Sequence, residues 1–338
     1  MTNSSINKYS KGFFVSLTIA ITATFVARIT PSIIGSSIIS LVLGMALNYF
    51  INSNTGIDEG AKFVSKRVLQ FAIILMGTRL NINQVFTVGR FALFVMIFTV
   101  SAAYLSAYSF GNILNINQKL RALVGTGTAI CGGSAILALS PIIDADENDI
   151  AYAISSVFLF DVLMIVTFPL IGILLNMSDL SYGLWAGTGI NDTSSVVAAG
   201  YAFSNAAGDY ATIVKLTRTT AIIPITLIYS AIVMYKGDKE NKESHKISNV
   251  FPWFILLFLL SSIINSLGLI PSEISTTLSF LSKFLMTMAL AAVGLKTNLK
   301  KMIKSGIKPI GLGFIASSVV VLVSMLAQYL ATAYIFIH

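Results

Sequence analysis

The run FALFVMIFTVSAAYLSAYSF at 91–110 holds no charged side chain over twenty residues. Runs of about 18–25 such residues recur along the whole chain, and that length suffices to cross a bilayer as a helix. In hydrocarbon every backbone N–H and C=O must find its partner inside the protein, which leaves helices or closed barrels. The runs do not alternate in the way barrel strands do, so the expectation is an all-α polytopic membrane protein. Composition agrees: 11% of residues are charged and the mean hydropathy is +0.83, whereas a soluble domain carries about 25% charged residues.

The hydropathy pattern predicts about 10–11 transmembrane helices. Their approximate bounds are 12–29, 33–50, 64–78, 91–111, 121–143, 150–175, 182–204, 211–235, 251–270, 275–295 and 308–335. The whole chain, 1–338, reads as a single membrane domain with a first half at 1–175 and a second at 182–338. The most charged stretch, at 235–246, marks a cytoplasmic linker placed at 236–248. If the loops alternate sides, sixteen Lys and Arg fall on one side, against Arg28, Arg79, Arg90 and Lys215 on the other. Loops rich in Lys and Arg stay in the cytoplasm. The expectation is therefore a multi-pass plasma-membrane protein with its N-terminus inside and its C-terminus outside. The net charge of +8 then reflects these loops, not nucleic-acid binding. The acidic run Asp144, Asp146, Glu147 and Asp149 reads as a solvated outer loop. Cys131 is the single cysteine, so no intrachain disulfide is possible.

Two internal similarities suggest duplication. SKRVLQFAIILMGTRLNINQVFTVG at 65–89 aligns without gaps to SKFLMTMALAAVGLKTNLKKMIKSG at 282–306. In the predicted topology these segments run in opposite directions, and inverted repeats are a transporter signature. A second similarity links GTGTAICGGSAILALSP at 125–141 to GTGINDTSSVVAAGYAF at 187–203, each followed by an aspartate, Asp149 or Asp209, and a long apolar segment. The predicted span count makes this second pair parallel, which conflicts with a simple inverted repeat.

The glycine-rich stretches are the candidate site. GTGTAICGGS lacks the Gly-Lys-Ser/Thr ending of a phosphate-binding loop, and it carries Ile130 where a dinucleotide fingerprint needs its third glycine. A serine nucleophile at Ser134 would need a histidine or lysine base. His245 and His338 are the only histidines, and both are peripheral in sequence. The remaining reading is a pair of helices broken at mid-membrane, whose freed backbone groups face a cavity. The bland alternative is close helix packing through small residues. In the functional reading Gly125, Thr126, Gly127, Thr128, Gly132, Gly133 and Ser134 contact substrate together with Asn191, Thr193, Ser194 and Ser195. A carboxylate at membrane depth marks a functional site by default. Asp192, with Asp161 second, is therefore expected to bind the coupling ion. Lys215 and Arg218 lie three residues apart, on one helix face, and either contact an anionic substrate or neutralise Asp192. Asp161 could also pair with Arg218 or Lys283. Pro169 and Pro224 are expected to kink helices.

The combination of GTGTAICGGSAILALSPII, GINDTSSVVAAG and ATIVKLTR, with LGMALNYF, FAIILMG and MALAAVGL, resembles the sulfate exporter family, the YeiH-like membrane proteins. The similarity covers the chain from about Phe25 onward. Asn191-Asp192 stands where many relatives are expected to carry His-Asp. The resemblance implies kinship with cation/proton antiporters and bile-acid symporters. It further implies a helical inverted-repeat fold with a transport domain moving against a scaffold, often in a homodimer. The expected activity is secondary active transport of a small inorganic or organic anion by alternating access. Sulfate, sulfite or a related sulfur oxyanion leads, coupled to an H⁺ or Na⁺ gradient. No catalytic residue, metal site, cofactor or nucleic-acid partner is expected, with bound Na⁺ the one option; the partners are the anion, H⁺ or Na⁺, and the lipid bilayer. Three alternatives stand beside this: a cation/proton antiporter centred on Asp192, an intramembrane enzyme using Ser134 or Cys131, and a structural or sensory protein.

Overall fold

A computed structural model describes residues 3–27, 36–50, 56–235, 253–296 and 306–337. All regular structure among these residues is helical. The helices are α1 (Asn3–Val26), α2 (Ser36–Phe50), α3 (Asp58–Phe63), α4 (Leu69–Gly77), α5 (Ile82–Ile113), α6 (Gln118–Ala129), α7 (Gly133–Leu139) and α8 (Glu147–Leu174). They continue as α9 (Asp179–Gly189), α10 (Thr193–Phe203), α11 (Asn205–Thr219), α12 (Ile222–Tyr235), α13 (Trp253–Ser266) and α14 (Ser272–Lys296). The last, α15, spans Ile307–Ile337, and a π-helical turn at Val64–Val68 joins α3 to α4. Six segments among the described residues are long and apolar enough to cross a membrane: Tyr9–Val26, Ile82–Ile113, Asn148–Leu174, Asn205–Val233, Glu273–Lys296 and Ile307–Ala331. The chain is thus an all-α polytopic membrane protein. The linker at 236–248, with His245, and His338 lie outside the described residues.

Side-chain contacts fix which helix ends lie together. The Ile82 amide donates to Ser266 Oγ at 2.7 Å, and Ser262 Oγ donates to the Leu80 carbonyl at 3.0 Å. The α4–α5 turn and the end of α13 therefore share one end of the molecule. Helix α5 is 32 residues long, about 48 Å, and carries the chain to the other end. At that second end Gly12 packs against Gly60, and Gly44 against Gly294, with no room for a side chain between the paired backbones. The described cations Lys11, Lys62, Lys119, Arg121, Lys296 and Lys308 cluster there, so we call it the basic end. Helix α1 starts at the basic end and α15 finishes at the opposite one.

Two segments predicted as spans are not spans. Asn117, the cap preceding α6, donates to both carboxylate oxygens of Asp149, one turn into α8, at 3.0 and 3.1 Å. Lys119 Nζ lies 3.7 Å from Asp144. The chain therefore leaves α6–α7 at the end where it entered. Helices α9 and α10 close in the same way: Ser204 Oγ donates to Asp179 at 2.6 Å, Tyr182 to the Ala199 carbonyl at 3.0 Å, and the Tyr182 and Phe203 rings stack at 4.0 Å. Both units are re-entrant hairpins. Helix α8, 28 residues long, joins the basic end to the opposite end, so the hairpins enter from opposite ends. This corrects the expected spans at 121–143 and 182–204 and removes the parallel-repeat conflict, because each hairpin is followed by a crossing of opposite direction (α8, then α11–α12). It also corrects the outer-loop reading of Asp144, Asp146 and Asp149. These acids lie at the same end as Lys119, where Asn117 and Lys119 hold Asp149 and Asp144.

Helices α4 and α14, which carry parts of the similar segments at 65–89 and 282–306, pack antiparallel. Ser282 Oγ donates to the Ala72 carbonyl at 2.7 Å, and Ser275 Oγ to the Thr78 carbonyl at 2.9 Å. Helices α1–α4, α13 and α14 form one bundle, while α15 packs on α5, α6, α8 and α9 in a second bundle around the hairpins. Leu41, Leu290 and Val293 of the first bundle meet Ile165 and Ala198 of the second. Pro169 lies inside α8, and Pro224 sits in the first turn of α12, where its missing N–H costs nothing.

Candidate functional site

The two hairpin tips meet. A Cβ built on Gly132 would sit 3.5 Å from Asp192 Cα. In the first hairpin α6 runs through Gly125 and Gly127 without a break and ends at Ala129. Gly125 packs on Tyr104 and Ala107, and Gly127 on Ile136 and Val157. In the second, Gly187 packs on Val214 and Ala211, and Gly189 on Phe168 and Val321. These four glycines serve close packing, the bland option of the sequence reading. The turn belongs to Gly132, whose φ of 62° and ψ of −127° lie outside the regions open to residues with a Cβ. The second turn is made by Ile190, Asn191 and Asp192; Ile190 and Asp192 are in extended conformations.

Breaking two helices inside the protein leaves carbonyls at their C-termini and amides at the next N-termini without helical partners. Helix α11 supplies the remedy for the carbonyls. The Arg218 guanidinium donates through Nε to the Ala129 carbonyl at 2.6 Å, and through its two terminal nitrogens to the Thr128 and Thr188 carbonyls. Lys215 Nζ donates to the Ile130 carbonyl at 2.6 Å and the Ile190 carbonyl at 3.2 Å. Each cation thus ties α6 to α9 across the tips, at the negative ends of both helix dipoles. Helix α8 supplies the remedy for the amides. Asp161 accepts from the Asn191 N–H at 2.8 Å and the Asp192 N–H at 2.7 Å. Asp192 then caps α10, accepting from the Ser194 amide at 2.8 Å and from the Ser194 hydroxyl.

The four ionisable side chains differ in access. Lys215 and Asp161 are 0% exposed and Arg218 is 1% exposed, whereas Asp192 is half-buried. Among the described residues neither carboxylate forms an ion pair with Arg218 or Lys215. The expected Asp192–Arg218 neutralisation and the pairing of Asp161 with Arg218 or Lys283 are therefore absent as contacts. Arg218, Lys215 and Asp161 bond only to backbone groups, and Asp192 to the Ser194 amide and hydroxyl; the sequence reading missed this because backbone partners leave no residue signature. These bonds use three of the five Arg218 N–H groups and two of the three on Lys215, and burial keeps the rest from solvent.

The remaining predicted residues divide by access. Gly133 borders open space and Ser134 is exposed, while Thr193 is half-buried beside Asp192. Thr126 is buried with its hydroxyl 2.8 Å from Tyr104 Oη. Asn191 Nδ2 donates to Ser317 Oγ of α15 at 3.0 Å. The Thr128 hydroxyl, Asn191 Oδ1 and the Ser195 hydroxyl are buried without a hydrogen-bond partner. Ser317 and Tyr104 were not legible as neighbours of the site, since each lies in an ordinary apolar run.

Opposed re-entrant hairpins whose tips meet and are tied by buried charges give a multi-pass helical membrane protein a polar centre among apolar helices. Residues 11–313 match the family model described as Conserved hypothetical protein 698. The chain is 49% identical to the UPF0324 membrane protein of Clostridium tetani over 336 residues, covering 96% of this chain and 97% of that one. It is 43% identical to the UPF0324 membrane protein of Streptococcus pneumoniae, covering 97% and 98%, and 38% identical to that of Fusobacterium nucleatum, covering 95% and 97%. The chain belongs to the UPF0324 membrane protein family.

Proposed function

We propose that this protein is a secondary transporter that works by alternating access, with the hairpin tips as its central site. The observation that carries the proposal is Asp192. It is the one ionisable side chain at the tips that is only half-buried, and it stands where the two hairpins meet. Asp192 exchanges the coupling H⁺ or Na⁺, and Asp161, locked onto two amides, holds the tip that carries it. The cargo is a small anion of the sulfate or sulfite type, in line with the family resemblance of the sequence. It is bound by the hydroxyls and amides of Ser134, Thr193 and the adjoining turns. Lys215 and Arg218 act on it as fixed positive charge from behind the carbonyls, not as direct ligands. The basic end faces the cytoplasm, which puts the N-terminus inside and the C-terminus outside; a homodimer fits the family reading. No catalytic role is assigned to Ser134 or Cys131: Cys131→Ala is expected to keep transport, and Ser134→Ala to weaken cargo binding without abolishing transport.

The sequestration of both cations favours a second reading, cation/proton antiport at Asp192 without an anionic cargo. Proteoliposome flux separates the two. The proposal expects uptake of labelled sulfite or sulfate driven by a pH or Na⁺ gradient, and its loss in Asp192→Asn. Na⁺/H⁺ exchange in the absence of any oxyanion flux would establish the antiport reading instead.

A further inference from the structure

Away from the hairpins, a groove of about 360 Å³ opens on the outer surface between the π-helical turn, α4 and α14. Its walls are Phe63, Val68, Phe71, Leu281 and Leu285, with one charged residue, Arg67. Phe63, Arg67 and Phe71 are spaced four residues apart and line one helical stripe. Phe71 is 52% exposed and Phe63 42%, so in a membrane this stripe faces lipid. Arg67 is exposed, and among the described residues it forms no hydrogen bond or ion pair. It lies about 14 Å along the helix from Asp58, opposite leucines from the middle of α14. A guanidinium at a hydrocarbon-facing position is costly without an anionic partner. π-helical turns recur at functional positions.

We propose that this groove is a binding site for one anionic phospholipid. An acyl chain lies along Phe63, Phe71, Leu281 and Leu285, and Arg67 donates to the phosphate. Guanidinium is suited to this partner because its planar fork matches phosphate oxygens. The nearby exposed Lys62 and Lys66 place the site at the basic end, where they add charge that favours an anionic headgroup.

The test uses the full-length protein, delipidated in detergent and titrated with phosphatidylglycerol or phosphatidylcholine. Native mass spectrometry counts bound lipid. Wild type is expected to prefer phosphatidylglycerol. Arg67→Gln is expected to weaken phosphatidylglycerol binding about fivefold, the factor one basic side chain contributes, and phosphatidylcholine binding less, because the choline charge already offsets the phosphate that both lipids share. Arg67→Lys should restore part of the preference, and Leu285→Trp, which fills the groove, should reduce binding of both lipids. Equal phosphatidylglycerol binding by wild type and a folded Arg67→Gln would overturn the proposal. So would a change from dimer to monomer in Arg67→Gln with unchanged lipid preference, which would make the groove a contact between copies of the chain.

Discussion

The two hairpins open with the same Gly-Thr-Gly, at 125–127 and 187–189, yet they turn by different physics. The first turns on backbone freedom: Gly132 takes a positive φ, and the helix that follows begins at Gly133 beside open space. The second turns on charge: Asp161 clamps two amides and Asp192 caps the new helix. Both incoming helices end on the same Lys215 and Arg218. The difference assigns separate roles. At the tips the first hairpin contributes no charged side chain, and the second contributes Asp192. A substrate or ion between the tips would meet a fixed surface on one side and an ionisable one on the other.

The largest effect is expected where the hairpins are joined. Arg218→Ala leaves three buried carbonyls without donors. At about 1–3 kcal/mol for each unsatisfied group, with imperfect additivity, at least about 3 kcal/mol of stability should be lost. A thermal-denaturation series in detergent checks this, and Arg218→Lys should recover only part because it lacks the fork. An unchanged melting temperature for Arg218→Ala would break the claim that one side chain ties both hairpins.

The next effect separates the two acids at the second turn, Asp161 of α8 and Asp192 of the hairpin itself. Asp161→Asn keeps one acceptor oxygen for two amides and turns an NH₂ toward the other, a loss of about 1–3 kcal/mol. Asp192→Asn removes the same charge, but asparagine caps helices as well as aspartate does. Its stability should stay within about 0.5 kcal/mol while ion coupling is lost. Equal destabilisation by the two substitutions would remove the distinction between a clamp and a loading residue.

The first hairpin gives a smaller contrast. Gly132→Ala should cost about 1–3 kcal/mol from its backbone conformation alone, because the added Cβ meets neighbours only at 3.5 Å. Gly133→Ala, with nothing within 4 Å of its Cβ, should cost no more than the few tenths of a surface change. Melting temperatures of the two variants, compared side by side, measure how much of the turn is backbone geometry.

The membrane class, the helical fold and most crossings were legible because length and hydropathy are averages over about twenty residues. The hairpins were not, because a hairpin at 121–143 contains the same apolar residues as a span. Two missed crossings also cancel in a topology count, so the charge bias stayed intact. Polar residues at both ends of the run, Asn117 before it and Asp149 after it, bond to each other, yet each reads as an ordinary loop residue. At the site, Asp161, Asp192, Lys215 and Arg218 stood out as charges in apolar surroundings. Their partners did not, since Thr128, Ala129, Ile130, Thr188 and Ile190 bond through carbonyls that every residue possesses. The packing role of Gly125 and Gly127 depends on Tyr104, Ile136 and Val157, which only the folded chain brings near. Arg67 looked like one more basic loop residue until the groove placed it among phenylalanines.

Sided labelling of single cysteines tests the opposed hairpins most directly. In a Cys131→Ala background, cysteines replace Lys119, Asp144, Ser178 and Asn205, which are all exposed. A membrane-impermeant thiol reagent is then applied to oriented vesicles from either side. Re-entrant hairpins predict that positions 119 and 144 react from one side and 178 and 205 from the other. Reaction of 119 and 144 from opposite sides would make the first hairpin a crossing and contradict the account.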